Sequence, residues 1–520
     1  MDQTSGISRR QLLAAAGVAS GAALVPSVSS IANAVAPSHR SPTRLADIEH
    51  VVIVMQENRS FDQYFGTMRG VRGFSDPKAM TLANGKSVFY QPDPDLLQNT
   101  ARQPYVLPWR LNTKTTSAQQ SVDLSHAWIA QQLSWAHGRM NGFVTAHRLI
   151  DGTVDGSAGA FDNGAKTMGY FTRDDLPWHY ALADAYTVCD NYFCSVFGPT
   201  NPNRIMSMSA TVDPEAKMGG PCLDNSQSIG TLEWESYPER LQHAGIDWYL
   251  YQETDNYDDN MLPFFKGIMK DTKSELYRRA NSFIPTPKGQ PAGPALIERV
   301  RNDVVSGNLP QVSWILSSRE NSEHPTATPA AGADFVDGVL KALQADPKVW
   351  AKTVVFVNFD ENDGLFDHVL PPTAPRGTPG EWVSAATLAL HPITAEGMTG
   401  PVGLGFRVPM TVVSPFTRGG LCSSEVYDHT STLLFLERRF GVEVANLSAW
   451  RRKTVGDLTG ALNLAAGPDA SIPRLPDTRA LVHAAGQQAS LPSPVQPSVQ
   501  TMPHQEPGRP RPRPSGLVTR

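Results

Sequence analysis

The sequence predicts an α/β fold, a mostly parallel sheet with helices on both faces. Short apolar runs at residues 51–55, 312–316, 353–359 and 409–414 read as strands buried on both sides. Between them, residues 333–345 and 429–440 carry apolar side chains at helical spacing. Strands alternating with helices build a largely parallel sheet covered on both faces. The chain has 520 residues, 40% of them hydrophobic, enough for a large core.

The chain opens with Ser8-Arg9-Arg10-Gln11-Leu12-Leu13 and an apolar run to Val25, and Ala32-Asn33-Ala34 follows. A charged start, a short apolar stretch and an Ala-x-Ala end make a secretory signal. The arginine pair addresses it to the bacterial Tat machinery. Residues 1–36 are therefore expected to be signal and linker, and the protein secreted or associated with the cell envelope. The apolar run is too short and too rich in Ala and Gly for a permanent anchor.

A globular body is expected over residues 45–464. Residues 486–520 change character and include Arg509-Pro510-Arg511-Pro512-Arg513-Pro514. Proline at alternate positions forbids helices and sheet ladders, so this segment is expected to be an extended, disordered tail. With 45 basic against 50 acidic residues and a net charge of −5, nucleic acid is not expected as a partner. Cys189, Cys194, Cys222 and Cys422 form no Cys-x-x-Cys zinc pattern; after export, Cys189 and Cys194 are near enough in sequence to bridge.

Ligands of parallel sheets sit beyond the carboxyl ends of the strands. The first strand ends in Gln56-Glu57-Asn58-Arg59 and the strand at 353–359 in Asp360-Glu361-Asn362-Asp363-Gly364. The strand at 312–316 runs into a loop with Glu323-His324-Pro325. Oxygen ligands gathered on one edge suit a divalent cation, whose identity such a mixed carboxylate and amide set leaves open. Single polar loops of this kind often only cap helices; three at one edge point to a site. Gly198-Pro199-Thr200-Asn201-Pro202-Asn203-Arg204 forms a turn before a helix. There the Thr200 hydroxyl is either an N-cap or, beside a metal, a nucleophile. Arg204 is positioned for a phosphoryl oxygen or for a structural ion pair.

The stretches 55–62 (Met-Gln-Glu-Asn-Arg-Ser-Phe-Asp) and 198–204, with Asp360-Glu361-x-x-Gly364-x-x-Asp367-His368-Val369, resemble the bacterial phospholipase C and acid phosphatase family. Plant non-specific phospholipases C belong to it as well. The resemblance spans most of the body, and the twin arginine and the stretch 252–260 look most like phospholipases C of mycobacteria and related actinobacteria. It implies an alkaline-phosphatase-like fold with smaller inserted segments. It also implies one divalent metal ion on Glu57, Asn58, Asp360 and Glu361, and Thr200 as nucleophile. His126 and His324 take the positions of histidines that touch the phosphoryl group, and Arg204 and Glu323 those of substrate contacts. Asp363 stands where glycine is usual, which questions the turn there. His429, which begins a helix, is expected in a cap or structural role rather than in catalysis, and His368 is expected either to face the site or to hold its loop.

The implied reaction is hydrolysis of phosphatidylcholine-type phospholipids to diacylglycerol and phosphocholine, with peripheral membrane contact. The alternatives are an acid phosphatase of the same family and an inactive lipid-binding or adhesion module of the envelope.

Overall fold

The apolar runs form the middle of a seven-stranded sheet. In the computed structural model, which describes residues 44–93, 104–120, 123–154 and 163–516, the strands are β1 (His50–Gln56), β2 (Thr187–Cys189), β3 (Trp248–Tyr251), β4 (Val312–Ile315), β5 (Thr353–Phe359), β6 (Met410–Val413) and β7 (Leu421–Ser423). The expected signal segment lies outside the described residues. Spatial order is β7-β2-β6-β5-β1-β4-β3. Only β6 runs antiparallel to its neighbours, β5 and β2. β2 and β7, three residues each, are too short for any periodicity to announce them. β3 is as long as β4 but is not among the apolar runs expected as strands.

The helices that matter for the site are α1 (Phe61–Phe65), α2 (Trp128–Trp135), α3 (Phe143–Val154), α4 (Pro177–Ala185), α5 (Thr200–Ser209), α6 (Pro294–Val305), α7 (Pro329–Leu343), α8 (Ala385–Leu390), α9 (Thr430–Phe440) and α10 (Thr478–Gln488). Val52, Val54 and Val355 pack with Leu182 of α4, Val300 of α6 and Val336 of α7. Val51, Ile53 and Phe356 face the other way, into the core that contains Ile205 of α5 and Phe435 of α9. Burial on both faces is why β1 and β5 read as unbroken apolar runs. In their parallel register Gln56 pairs with Phe359. Glu57 and Asp360 therefore leave neighbouring strands side by side.

The C-terminal segment corrects the expected disordered tail. Its described residues belong to the same compact unit as the sheet. Past α10 the described residues, up to 516, carry no helix or regular strand, yet they are fastened along their length. Pro492 O accepts from Ser117 N at 3.0 Å, and Gln500 bridges Leu107 N and Tyr105 O at 2.7 and 2.9 Å. Glu506 pairs with Arg173 at 2.7 Å and Arg511 with Asp184 at 2.5 Å. Pro512 O accepts from Cys422 N on the edge strand β7 at 2.9 Å. Proline removes a donor but keeps its acceptor, so a proline-rich segment can still cap a sheet edge. All four cysteines are buried free thiols. Among the described residues no helix is long and apolar enough to cross a membrane.

Asp62, the second residue of α1, anchors a buried charge network behind the site. Arg407 pairs with Asp62 at 3.0 Å and Asp367 at 2.8 Å, and His368 Nδ1 lies 2.7 Å from Asp62 Oδ2. Burial works against charge on His368, but Asp62 and Asp76 outweigh it and raise its pKa above the ordinary histidine value. A histidine raised on folding contributes stability below its unfolded pKa of about 6.5 and loses it as pH rises through the folded value. The stability deficit of His368→Gln is therefore expected to be largest near about pH 6 and to shrink under alkaline conditions. Urea unfolding across that range measures it; a deficit that grows with pH contradicts the assignment.

Candidate functional site

β1 and β5 deliver Glu57, Asn58, Asp360 and Glu361 to one buried spot. Asp360 Oδ1 accepts from Glu361 N at 2.8 Å and from Asn58 N at 3.4 Å. Asn58 has φ +49°, a left-handed conformation that asparagine tolerates. Glu57 N is held by Ser322 O at 2.7 Å, and Arg59 Nε by Glu323 O at 2.8 Å, which locks the loop after β4 to the end of β1.

Arg204 lies among the carboxylates. Its Nε is 3.1 Å from Asp360 Oδ2, and its Nη2 is 3.1 Å from Glu57 Oε1 and 3.0 Å from Asp259 Oδ2. The Asp259 approach is close but lacks hydrogen-bond geometry, since Asp259 Oδ2 has no hydrogen-bond partner. The buried guanidinium is held protonated; burial opposes this, but Asp259, Asp360 and Glu57 prevail. Of the two roles the sequence leaves open for Arg204, phosphoryl contact and structural ion pair, the ion pair is the one formed here. With its fork turned to three buried carboxylates, Arg204 balances their charge. Even so, burial, then Asp259 and Asp360, keeps the Glu57 carboxyl well above its usual pKa. Burial also pushes Asp259 up to about 6.

Glu323 too finds its partners within the protein. Its carboxylate turns into the core, accepting from Tyr64 Oη at 2.7 Å and lying 3.1 Å from His179 Nε2. Gly332 of α7 makes room for it, since a Cβ there would lie 2.0 Å from Glu323 Cγ. With both oxygens engaged by the core, Glu323 supports the loop that carries His324.

His126 lies just before α2, with Nδ1 2.8 Å from Leu124 O and 3.1 Å from Asp363 Oδ1. Its Nε2 is 3.7 Å from Glu361 Oε1. Burial lowers its pKa, but Glu361 and Asp363 more than reverse this and hold it well above the ordinary value. His324 is the opposite case: burial takes it down to about 4. Asp123 lies 3.8 Å from a ring nitrogen of each histidine. Their surroundings thus push the two histidines at this edge in opposite directions, His126 toward the protonated form and His324 toward the neutral one. Asp363 adopts the left-handed φ of +56° that a glycine would supply. Its carboxylate also accepts from Leu124 N at 3.1 Å, so the departure from glycine keeps the turn and ties down the loop of His126.

Thr200 is the first residue of α5, one turn before Arg204. The N-cap is Pro199, without a side-chain cap bond, so the hydroxyl is not spent as a cap. Asn203 shapes the turn. Its Oδ1 accepts from Ser195 N and Val196 N, both at 2.9 Å, and its Nδ2 donates to Gly198 O at 2.9 Å. His429 steadies the other side: Asn358 donates to Tyr192 Oη at 2.9 Å, Tyr192 to His429 Nδ1 at 2.9 Å, and His429 Nε2 to Asp360 O at 2.5 Å.

Among the described residues, two groups of side chains bring carboxylate and imidazole atoms close enough to ligate a cation: Asp62, Asp367 and His368, and Asp123, His126 and Asp363. In the first, Arg407 already supplies the positive charge. The expected metal residues show a different sign of fit. Both amide atoms of Asn58 and Oε1 of Glu361 are buried without a hydrogen-bond partner. Orphaned buried polar atoms are rare, and here they stand among carboxylates with more negative charge than Arg204 and His126 offset. Glu57, Asn58, Asp360 and Glu361 therefore suit a divalent cation of oxygen preference.

A sequence profile of the Phosphoesterase family matches residues 48–443. The chain belongs to this family. It is 41% identical to the non-hemolytic phospholipase C of Pseudomonas aeruginosa, over 96% of this chain and 70% of that protein. It is 40% identical to phospholipase C B of Mycobacterium tuberculosis, over 91% of this chain and 89% of that protein. Among solved structures, an alkaline phosphatase superfamily protein from Vibrio parahaemolyticus overlaps with a TM-score of 0.30 at 12% identity, covering 58% of this chain and 65% of that one. That overlap is too loose to transfer any residue. In this phosphoesterase the stretch 252–260, which the resemblance singles out, brings Tyr257 against His324, ring edge-on at 5.3 Å. The same stretch carries Asp259 to Arg204. The resemblance gives neither residue, nor Asp123, a definite role.

Proposed function

We propose that this phosphoesterase is a phospholipase C that hydrolyses phosphatidylcholine-type lipids to diacylglycerol and phosphocholine. The observation that carries the reading is the buried set Glu57, Asn58, Asp360 and Glu361, with its unbonded amide and carboxylate atoms, in a chain akin to named phospholipases C. Bound there, a divalent cation lowers the pKa of a nearby hydroxyl and neutralises charge on phosphoryl oxygens. Thr200 Oγ1, its proton given up to solvent, attacks phosphorus in line and forms a phosphothreonine as the P–O bond to diacylglycerol breaks. His126, protonated at Nε2, gives its proton to the leaving alkoxide. His324, neutral, draws a proton from the water that attacks the phosphothreonine, which releases phosphocholine and the deprotonated Thr200 oxygen; His324 returns that proton to solvent and His126 takes one up. Arg204 keeps Glu57 and Asp360 in place.

Phosphatidylcholine, p-nitrophenyl phosphorylcholine and p-nitrophenyl phosphate, assayed side by side, test the reading. Both diesters are expected to turn over faster than the monoester. Faster monoester hydrolysis favours an acid phosphatase, and purified protein without metal or activity on any of the three favours a non-catalytic envelope module. Export by the Tat route is read from Arg9-Arg10. A variant with lysine at both positions is expected to stay in the cytoplasmic fraction; unchanged export speaks against that route.

A further inference from the structure

A helix facing water ordinarily turns charge outward. Residues 382–395 contain no Asp, Glu, Lys or Arg, although 18% of the whole chain is charged. Within this stretch, α8 and the turn after it expose Ala385, Ala386, Ala389, Leu390, Pro392 and Ile393. Leu390 is 74% and Ile393 87% exposed. Single exposed apolar residues are ordinary; two large ones on an uncharged protruding segment are not.

The back of this segment is fastened to the elements that carry the site. Glu396 Oε2 accepts from Ile129 N at 2.6 Å and Met398 O from Trp128 Nε1 at 3.3 Å, both at the start of α2 just past His126. Thr387 Oγ1 donates to Pro214 O at 2.9 Å, in the loop that follows α5. The same loop returns to Thr200, because Asn225 Oδ1 accepts from Asn201 N at 2.9 Å. The apolar segment is thus continuous with the supports of both His126 and Thr200.

We infer that Leu390 and Ile393 insert into a zwitterionic phospholipid surface and seat the enzyme there with its site at the lipid. The inference rests on the phospholipase reading. The charge pattern selects this occupant: a segment without Lys or Arg has nothing to seek an anionic surface with, and apolar insertion alone supplies its affinity. A second copy of the chain on the same segment would stand against the elements that hold Thr200 and His126, whereas a bilayer brings substrate to them.

The test compares wild type with Leu390→Ser/Ile393→Ser on phosphatidylcholine vesicles and on soluble p-nitrophenyl phosphorylcholine. Vesicle hydrolysis and co-flotation of the double variant are expected to fall on the order of a hundredfold, with turnover of the soluble diester unchanged. Leu390→Trp is expected to bind vesicles more tightly, since tryptophan favours the membrane interface. Vesicle hydrolysis by the double variant at the wild-type rate overturns the inference and leaves the phospholipase reading intact. A wild-type dimer that the double variant dissolves assigns the segment to self-association and overturns it too. A wild type inactive on both substrates overturns the phospholipase reading and this inference with it.

Discussion

Thr200→Ala is expected to lower diester turnover by roughly a thousandfold or more while the protein keeps its melting temperature. The two halves of this result have separate causes. Loss of turnover follows from removing the one oxygen assigned to attack phosphorus. Retained stability follows from the local structure: Thr200 is only partly buried, Pro199 is the N-cap, and Asn203 organises the turn. Thr200→Ser keeps the hydroxyl and is expected to restore most of the activity. Steady-state kinetics on p-nitrophenyl phosphorylcholine with thermal melts decide the matter. Near-normal turnover by Thr200→Ala would remove Thr200 from the mechanism, and a large loss of stability would make it a structural residue.

Glu57→Gln is expected to abolish both activity and stabilisation by divalent cations. A ligand that binds only the folded state adds about 2.7 kcal/mol at a hundredfold excess over its dissociation constant. Wild type should show such a gain on titration with Mg²⁺, Mn²⁺, Ca²⁺ or Zn²⁺, and the variant should not. Without metal the sign differs. Burial and the charges of Asp259 and Asp360 already push the Glu57 carboxyl up, so a neutral amide relieves strain among crowded carboxylates. Metal-free Glu57→Gln should therefore melt no lower than metal-free wild type. Calorimetry with and without chelator measures both. Equal cation stabilisation in the two proteins would exclude Glu57 as a ligand.

Both residues expected as substrate contacts find charged or polar partners within the protein, for one reason. Arg204 and Glu323 stand in the right segments, but a motif does not show where a side chain turns. Arg204 meets Asp259 across a separation in sequence that no local pattern encodes, and Glu323 finds Tyr64 and His179 in the core. Asp363 shows the converse. Its departure from glycine looked like a threat to the turn, yet aspartate tolerates the left-handed φ and its carboxylate holds Leu124 and His126. The C-terminal segment is ordered despite its alternate prolines because proline lacks only the donor; its carbonyls remain acceptors for groups such as Cys422 N.

By itself the sequence determined the strands β1, β4, β5 and β6 and the edge to which the first three lead. It also placed Glu57, Asn58, Asp360 and Glu361 at the ends of two strands and Thr200 at the start of a helix. These features are local: an apolar run buried on both faces reads as a strand wherever its partners lie, and the polar residues after it fall at the carboxyl edge. Only the tertiary structure decided which charges meet, which histidine is protonated, and how the C-terminal segment closes the edge of β7. Those outcomes depend on burial and on contacts between residues hundreds of positions apart, where desolvation and a single facing carboxylate set the state of a group and the local sequence does not.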